Sequence, residues 1–403
     1  MHLRSVVSDE KTIGPVLRWF ALGVQFTIPL TLAALCNTPH RCAAQDSVDR
    51  TVHASLMVGR SVPLPTGTRQ VTGGYFGVDG SFVVLRGAAD PPLYYASAVT
   101  RPIELDRRGA PGASSMNPAY VIWLSDSIGI YDHRARQLEF FDRSGGYLGQ
   151  LSISGWPNGY QPLTRLMDSR WLAVRAHDES TNDSMRIVIL SRPTGFQQPV
   201  VSAGQSPSAL RIEGSYFTAV SLQPYRLSAL ATVERNRREI VIASSVDSAG
   251  AEGVPIRLTW VSVVGESAHH REIFIRAQPV SGETRARITD SVVDEATTEI
   301  RRAGLDTTLI RSTVARELFI PAFLPPLRWL QADSGGTAWL ELTGANHRES
   351  ICWFKRDSPD GRCAALPNGA TALDVDERGR LLLVSLDKNG LPSLFTATIS
   401  PAQ

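Results

Sequence analysis

The sequence predicts an all-β protein, a six-bladed β-propeller of four-stranded antiparallel sheets with a short helical insertion between blades 4 and 5. Three observations support this prediction. One segment, 120–153, has the pattern of four short strands joined by three turns. Weaker copies of that segment recur along the chain. In three pairs of neighbouring copies the acidic turn residues are 42 to 47 residues apart, a spacing typical of four-stranded propeller blades.

The template segment shows the strand pattern most clearly. Its apolar runs are too short for independent helices, are rich in β-forming residues, and are each followed by polar turn residues. A sheet of four such strands has two apolar faces and therefore needs a neighbouring sheet on each side. We interpret its aromatic side chains as packing between sheets. The predicted strands are 120–124, 128–131, 138–141 and 147–153.

Five further copies complete the predicted ring. The turn acids Asp168, Glu234 and Asp333 are separated by 66 and 99 residues, so these two intervals contain insertions or missed copies. The first copy has predicted strands at 82–85 and 93–95, the third at 171–174 and 187–190, the fourth at 230–233, 240–243, 258–264 and 273–275, the fifth at 338–342, and the sixth at 381–386 and 394–399; a short strand is also predicted at 54–58.

The second long interval contains a segment with helical periodicity. Ile288, Val292, Ala296 and Ile300 recur every four residues and form one apolar stripe, with acidic residues near the opposite side. We therefore predict a helical insertion over 283–318 within the propeller domain 45–403. Because a propeller can close without it, this insertion is the best candidate for a surface that gives specificity.

The N-terminal segment predicts export. A basic stretch precedes an apolar run at 19–35, and small residues precede Gln45 at the positions that a signal peptidase reads. We interpret 1–44 as a secretory signal peptide and expect the protein in the periplasm or outside the cell. Two alternatives stay open: a retained N-terminal membrane anchor, because the run approaches spanning length, and a lipoprotein modified at Cys36.

Charge argues against a nucleic-acid partner. The chain has 41 basic and 39 acidic residues, and removal of 1–44 takes away four basic and two acidic residues, which leaves a formal balance of zero. A neutral chain without a basic tract lacks the surface that neutralises phosphates. We also expect no stable membrane insertion after signal removal, and a monomer.

The two cysteines of the mature chain, Cys352 and Cys363, stand symmetrically about a predicted turn at 356–361. Residues placed in this way face each other across a hairpin, within reach of a disulfide, and export permits oxidation. Two unpaired buried thiols are the alternative. A metal site is disfavoured because the pair has no nearby histidine ligands.

No local motif predicts catalysis, a metal or a cofactor. Six histidines follow the signal segment without metal-ligand spacing, and no serine lies in a nucleophile elbow. The segment 333–339 resembles an Asp box, which we interpret as a structural turn, and we interpret the blade-turn acids as turn formers rather than calcium ligands. We interpret the basic turn 133–136 as a solvated hairpin. The histidines are His53, His133, His177, His269, His270 and His347; the blade-turn acids are Asp79, Asp126, Asp168 and Asp376.

The repeat SDSIGIYDHRARQLEFFDRSGGYLG, and the helical segment followed by FIPAFLPPLRWLQADSGGTAWLEL, resemble six-bladed propellers of the NHL/TolB-like group, particularly exported bacterial proteins. The resemblance covers most of 70–400 and implies a scaffold rather than an activity. We expect a binding module for a protein or small ligand in the cell envelope. The alternatives are a hydrolase or lyase whose site is assembled from several blades around the channel, and a structural envelope component.

Overall fold

The chain folds into six four-stranded antiparallel sheets arranged as the blades of a propeller, which confirms the predicted fold class. The protein is represented by a computed structural model. The structure describes residues 3–6, 52–87, 90–106, 116–156, 160–166, 170–175, 186–191, 196–202, 209–213, 218–222, 230–245, 253–263, 267–275, 279–302, 310–320, 322–323, 327–343, 349–358, 360–367 and 369–400.

The first three blades follow three N-terminal strands. Those strands are β1 (Leu3–Val6), β2 (Val52–His53) and β3 (Ser55–Val62). Blade 1 contains β4 (Val71–Phe76), β5 (Phe82–Arg86), β6 (Leu93–Tyr95) and β7 (Ile103–Glu104); blade 2 contains β8 (Pro118–Trp123), β9 (Ile128–Asp132), β10 (Gln137–Phe141) and β11 (Tyr147–Ser152); blade 3 contains β12 (Tyr160–Arg165), β13 (Trp171–Arg175), β14 (Arg186–Ser191) and β15 (Phe196–Ser202).

Two insertions flank blade 4, and blade 6 follows directly after blade 5. A hairpin of β16 (Ala209–Glu213) and β17 (Thr218–Leu222) precedes blade 4, and helices α1 (Gly282–Arg302) and α2 (Ile310–Glu317) follow it. Blade 4 contains β18 (Leu230–Val233), β19 (Glu239–Ser245), β20 (Val254–Ser262) and β21 (Ala268–Ile275); blade 5 contains β22 (Leu327–Ala332), β23 (Thr337–Thr343), β24 (Glu349–Lys355) and β25 (Gly361–Ala365); blade 6 contains β26 (Ala370–Val375), β27 (Arg380–Leu386) and β28 (Pro392–Ser400), completed by β3.

Strand β3, from the N-terminal part of the chain, closes the ring. It pairs antiparallel with β28, with Val62 opposite Leu394 and Ser55 opposite Ser400, and becomes the outer strand of blade 6. The preceding strand, β2, pairs in parallel with β25 of blade 5. The predicted strand at 54–58 therefore exists in a longer form, and it belongs to the last blade. One chain segment thus joins blade 5 to blade 6 at the rim.

The core is divided among the boundaries between blades. Six clusters of buried apolar side chains each combine residues from two neighbouring blades, one cluster for every boundary in the ring. The cluster between blades 6 and 1, for example, joins Leu382 and Leu394 to Phe76 and Phe82. In the template blade, Tyr131 and Phe141 are buried in this way. Burial between sheets supplies the main driving force for folding, as the apolar faces of the template predicted.

The two insertions contact each other. β16 and β17 form a three-stranded sheet with β1, α2 packs on α1 and against β16, and α1 reaches β1. On α1 the predicted stripe residues Ile288, Val292 and Ala296 are buried, whereas the side chain of Ile300 lies outside the described residues. The interval before blade 4 therefore holds an insertion and not a missed blade, and the helical insertion between blades 4 and 5 is confirmed.

Strand direction assigns the loops to two ends of the channel. In each blade the turns after the first and third strands lie at one end, and the turn after the second strand and the link to the next blade lie at the other. We call the first the closed end, for the reason given below, and the second the insertion end, because both insertions are links between blades. Within the described residues, no helix combines the length and the hydrophobicity needed to span a bilayer.

Candidate functional site: the two ends of the channel

Arg235 crosses the channel at the closed end. It lies in the turn between β18 and β19 of blade 4, and its Nη1 donates to the carbonyl of Phe76 in blade 1 at 2.6 Å. Its Nη2 donates to Asp374 Oδ2 of blade 6 at 2.7 Å and also to the carbonyl of Val375. Since blade 1 is opposite blade 4 in a ring of six, this side chain spans the channel.

The next two residues of the same turn reach the other three blades. Asn236 Nδ2 donates to the carbonyl of Ser334 in blade 5 at 3.0 Å. Arg237 donates through Nη1 to the carbonyl of Arg165 in blade 3 at 2.6 Å and through Nη2 to that of Trp123 in blade 2 at 2.5 Å. Three consecutive side chains therefore bond to all five other blades. We call residues 234–238 the hub turn.

The local backbone explains how one short turn can do this. The amide of Glu234 donates to the carbonyl of Glu239, the amide of Arg237 donates to the carbonyl of Glu234, and Asn236 Oδ1 accepts the amide of Arg238. Arg237 has a φ of 62°, in the left-handed region that residues other than glycine rarely adopt. Such strain persists where the surroundings hold it. Here the bonds to blades 2 and 3 hold Arg237.

The ion pair of Arg235 with Asp374 is shielded from water. Asp374 is 3% exposed, and its Oδ2 also accepts the amide of Phe76 at 2.5 Å. Burial raises the pKa of this carboxyl, against the opposing charge of Arg235. Its Oδ1 has no hydrogen-bond partner in the structure. The pair joins blades 4, 6 and 1, and it would leave an isolated buried charge if Arg235 were removed.

Two further buried carboxyls have raised pKa values. Burial raises the pKa of Glu341, in β23, to about 7, against the hydrogen bond that its Oε2 accepts from the amide of Ala372 in blade 6. Burial and the charge of Glu239 raise the pKa of Glu234, in the hub turn, to about 7. A raised pKa in a cleft is a feature of catalytic acids, but Glu341 is wholly buried between two blades. We therefore assign Glu341 to the connection between blades 5 and 6.

Two acids that the sequence assigned to turns, Asp333 and Asp376, are turn formers. In four turns the first residue is an aspartate whose Oδ1 accepts the amides of the second and fourth residues after it, and the third residue after it is a glycine with positive φ. In the Asp-box-like segment, Asp333 Oδ2 also accepts the indole N–H of Trp339 at 3.1 Å. Asp79 accepts from Ser81, and Asp168 lies outside the described residues. The four turns begin at Asp142, Asp333, Asp376 and Asp387.

The histidines are distributed through the molecule. The His269 ring packs edge-on against Trp260, while His270 Nδ1 bonds to Thr259 Oγ1 at 3.1 Å, so the two rings lie on opposite faces of β21. His53 lies in β2, and His133 packs against Tyr131. His177 and His347 lie outside the described residues. Across the residues that the structure describes, no group of three or more potential ligands could hold a metal ion.

The predicted cysteine pairing is present. Cys352 and Cys363 are directly opposite on β24 and β25 and form a disulfide. The backbone carbonyl of Cys363 also accepts the amide of Ala54 at 2.9 Å, in the segment that leads into β3. The bridge therefore fixes the hairpin on which the N-terminal segment docks.

The sequence pattern marked the hub turn only through its acid, Glu234. Its composition, Glu-Arg-Asn-Arg-Arg, has three arginines in five residues, one more than the equivalent turn 376–380 of blade 6. That excess of long side chains was the available signal. Their partners are mainly backbone carbonyls, which carry no sequence signature, so the crossing of the channel could not be read from the chain.

A groove of about 810 Å³ lies outside the channel, along the outer edge of blade 1. It extends from the link 63–66 at the insertion end to the turn 145–146 of blade 2 at the closed end. Nothing in the sequence pattern marked this groove.

Comparisons with known proteins give neither a family nor an activity for this chain. No protein-family model matches the chain, and no curated protein sequence is significantly similar to it. Similar solved structures include virginiamycin B lyase from Staphylococcus aureus with quinupristin (TM-score 0.44, 10% identity, 85% of this chain and 99% of that chain). They also include a putative exported protein from Bacteroides fragilis NCTC 9343 (0.44, 8%, 88% and 99%) and PQQ-bound aldose sugar dehydrogenase from Streptomyces coelicolor (0.43, 12%, 87% and 100%).

The fold assignment rests on the chain itself, through its six sheets and the six clusters between them. The chain is a six-bladed β-propeller. Its channel is crossed at one end by side chains of the hub turn, and its two insertions leave the ring at the other end.

Proposed function

We propose that this chain is a non-catalytic binding module of the cell envelope, and that its partner, a protein or a small ligand, docks at the insertion end. The observation that carries the proposal is the difference between the two ends. At the closed end, the long side chains of the hub turn are committed to carbonyls and a carboxylate of other blades. At the insertion end the chain adds a hairpin and two helices that ring closure does not require.

The outer face of α1 suits a docking surface. The side of α1 opposite the buried stripe is exposed, and it carries Arg287, Ser291, Asp294 and Thr298. Loops and insertions held by a rigid scaffold commonly carry binding functions. A mixed polar surface of this kind favours a specific contact that can form and dissociate.

Position-specific photo-cross-linking tests the proposal. A benzophenone amino acid is placed at Ser291 or Thr298 on α1, and in control variants at Val78 or Glu377, which are exposed in turns at the closed end. In cells of the producing organism, we expect both α1 positions to give the same adduct and the control positions to give none. Adducts only from the closed end, or the same adducts from all four positions, contradict the proposal.

Export forms part of the proposal. Processing after residue 44 would remove β1, the edge strand of the three-stranded sheet, and leave the β16–β17 hairpin. Intact-mass measurement of the secreted or periplasmic protein, with Gln45 expected at the N-terminus, tests the cleavage. A mass that retains residues 1–44 supports the membrane-anchor alternative.

The hydrolase or lyase alternative stays a prediction. Such a site would use side chains from several blades near the insertion end of the channel, and no local motif would identify it. Catalysis would be supported by a substrate that the chain turns over. Replacement of residues at that end should then abolish turnover while the substrate still binds.

A further inference from the structure

The turn between β9 and β10 lies at the insertion end and carries two arginines, Arg134 and Arg136. The carboxylate of Asp132, which is buried, holds the backbone of this turn, because its Oδ1 accepts the amides of the second and third residues after it at 2.9 and 3.0 Å. The last residue of the turn is held by the end of the outer strand, since the amide of Ile153 donates to the carbonyl of Arg136 at 3.0 Å. The backbone that carries the two arginines is therefore fixed.

Arg136 has a φ of 49°, in the left-handed region. In the four aspartate turns described above, a glycine occupies the left-handed position. Among the described residues, only one other side-chain-bearing residue has a positive φ, and that is Arg237, whose guanidinium bonds to carbonyls of blades 2 and 3. Backbone strain of this kind is retained at binding sites more often than elsewhere.

The guanidinium of Arg136 differs from that of Arg237 because it lacks such bonds. Its Nη2 is shielded from solvent and donates no hydrogen bond, and among the described residues the side chain forms no ion pair. Its charge lies close enough to Tyr131 to oppose the effect of burial, which raises the pKa of that phenol to about 12. A guanidinium nitrogen shielded from water without an acceptor costs free energy. An acceptor on a bound molecule would remove this cost.

The exposed surface around the turn is basic and carries hydroxyl groups. Arg134 is exposed, and two exposed serines lie beside the turn in 152–155. Within 132–137 and 152–155 the one acid is Asp132, which is 1% exposed. Two cations and one anion give this corner a formal balance of one positive charge, which complements an anion with a single charge. A planar carboxylate also matches a planar guanidinium.

We propose that Arg136, with Arg134 beside it, binds a carboxylate of the partner. This inference rests on the proposed function and adds a chemical class to it, since the partner presents an acidic side chain or chain terminus to blade 2 while it contacts α1. Both surfaces belong to the insertion end, because the turn follows the second strand of its blade. In the complex the strained backbone of Arg136 is held through its side chain, as that of Arg237 is in the hub turn.

Stability measurements separate this role from a structural one. R136M removes a guanidinium that has no acceptor, so we expect its thermal midpoint to equal or exceed that of the original chain. R237M is the matched control, because Arg237 has the same backbone conformation but bonds to two other blades, and its midpoint should fall. A fall in R136M as large as that in R237M would make Arg136 a structural residue and overturn the proposal.

Binding of a fluorescein-labelled hexaglutamate peptide to the full chain, followed by fluorescence anisotropy, tests the carboxylate site. R136M should weaken this binding roughly tenfold. R378M, which removes an exposed arginine from a turn at the closed end, should bind like the original chain. Glutarate should displace the peptide at a lower concentration than inorganic phosphate at the same ionic strength. No binding, equal binding by the two variants, or stronger competition by phosphate overturns the proposal.

The cross-linking experiment on α1 distinguishes failure of this proposal from failure of the proposed function. The adduct formed from Ser291 should fall roughly tenfold in R136M and stay unchanged in R378M. An adduct that R136M leaves unchanged overturns the carboxylate contact and leaves docking on α1 intact. If Ser291 forms no adduct while hexaglutamate binding still depends on Arg136, the proposed function fails and the carboxylate site stands.

Discussion

Arg235 shows how one side chain can determine the arrangement of distant parts of the chain. It is 159 residues from Phe76 and 139 from Asp374, yet it bonds to both. A buried ion pair of this kind adds little net stability compared with apolar groups, but removal of one partner exposes the cost of burying the other. The main effect of the pair is therefore to fix the position of blade 4 against blades 1 and 6.

Replacement of Arg235 should be strongly destabilising. In R235M, Asp374 keeps its burial and loses its cation, so we expect the free energy of unfolding to fall by about 3–5 kcal/mol. R238M is the matched control, because Arg238 is exposed in the same turn, and we expect a change within about 0.5 kcal/mol. Urea unfolding measures both. Equal losses of unfolding free energy in R235M and R238M would show that the cross-channel contacts do not contribute to stability.

The buried carboxyl of Glu341 should make stability depend on pH. Its pKa is raised from 4.5 to about 7 by burial, so the folded chain binds this proton more tightly than the unfolded chain. The free energy of unfolding should therefore fall as the pH rises from about 4.5 to about 7, by roughly 3 kcal/mol in total from this group.

The variant E341Q should reduce that dependence, because its amide does not ionise and its oxygen can still accept the Ala372 amide. Unfolding free energies at several pH values between 4 and 8 measure the slope, with E283Q on the exposed start of α1 as control. An unchanged slope in E341Q would remove Glu341 as the source; Glu234 is then the next group to replace.

At the scale of elements, closure depends on a strand from the opposite terminus. Blade 6 contributes three of its own strands, and β3 supplies the fourth through pairs such as Met57 with Thr398. The disulfide and the parallel pairing of β2 anchor the chain just before this strand. The last strand of the chain, β28, is thus held in one sheet with β3 from its N-terminal part.

Cross-linking tests the register of that sheet. Oxidation of M57C/T398C should form an intramolecular disulfide, because these exposed residues are direct partners, and should raise the thermal midpoint by preventing separation of the terminal strands. M57C/S393C, five residues out of register, should not form it. Peptide mapping by mass spectrometry identifies the bond. Efficient cross-linking of the control pair would contradict the register.

The sequence predicted these elements unequally, for a physical reason. Alternating apolar residues and turn acids are local signals, so strands such as Leu93–Tyr95 and Leu230–Val233 were predicted with their observed bounds. The pairing of β3 with β28 joins residues more than 330 positions apart, and no local pattern encodes that choice. The two-residue β7 was missed because so short a strand has no periodicity. The hydrogen bonds of the hub turn were missed for a similar reason, because most of their acceptors are backbone carbonyls, which have no sequence signature.

At the scale of the whole molecule, the propeller has ends with different roles. A ring of six similar blades would by itself be open at both ends of its channel. Here one blade closes one end by bonding to the five others, and the links on either side of that same blade carry the two insertions. Blade 4 therefore organises both ends, and binding is expected where the insertions lie.

Hydrogen–deuterium exchange of R235M/R237M tests this account most directly. Because the two arginines bond to the ends of inner strands in blades 1, 2, 3 and 6, exchange should become faster in peptides containing Phe76, Trp123, Arg165 and Val375 together. R238M should exchange like the original chain. Faster exchange confined to residues 230–245 would contradict the claim that the hub turn holds the closed end together.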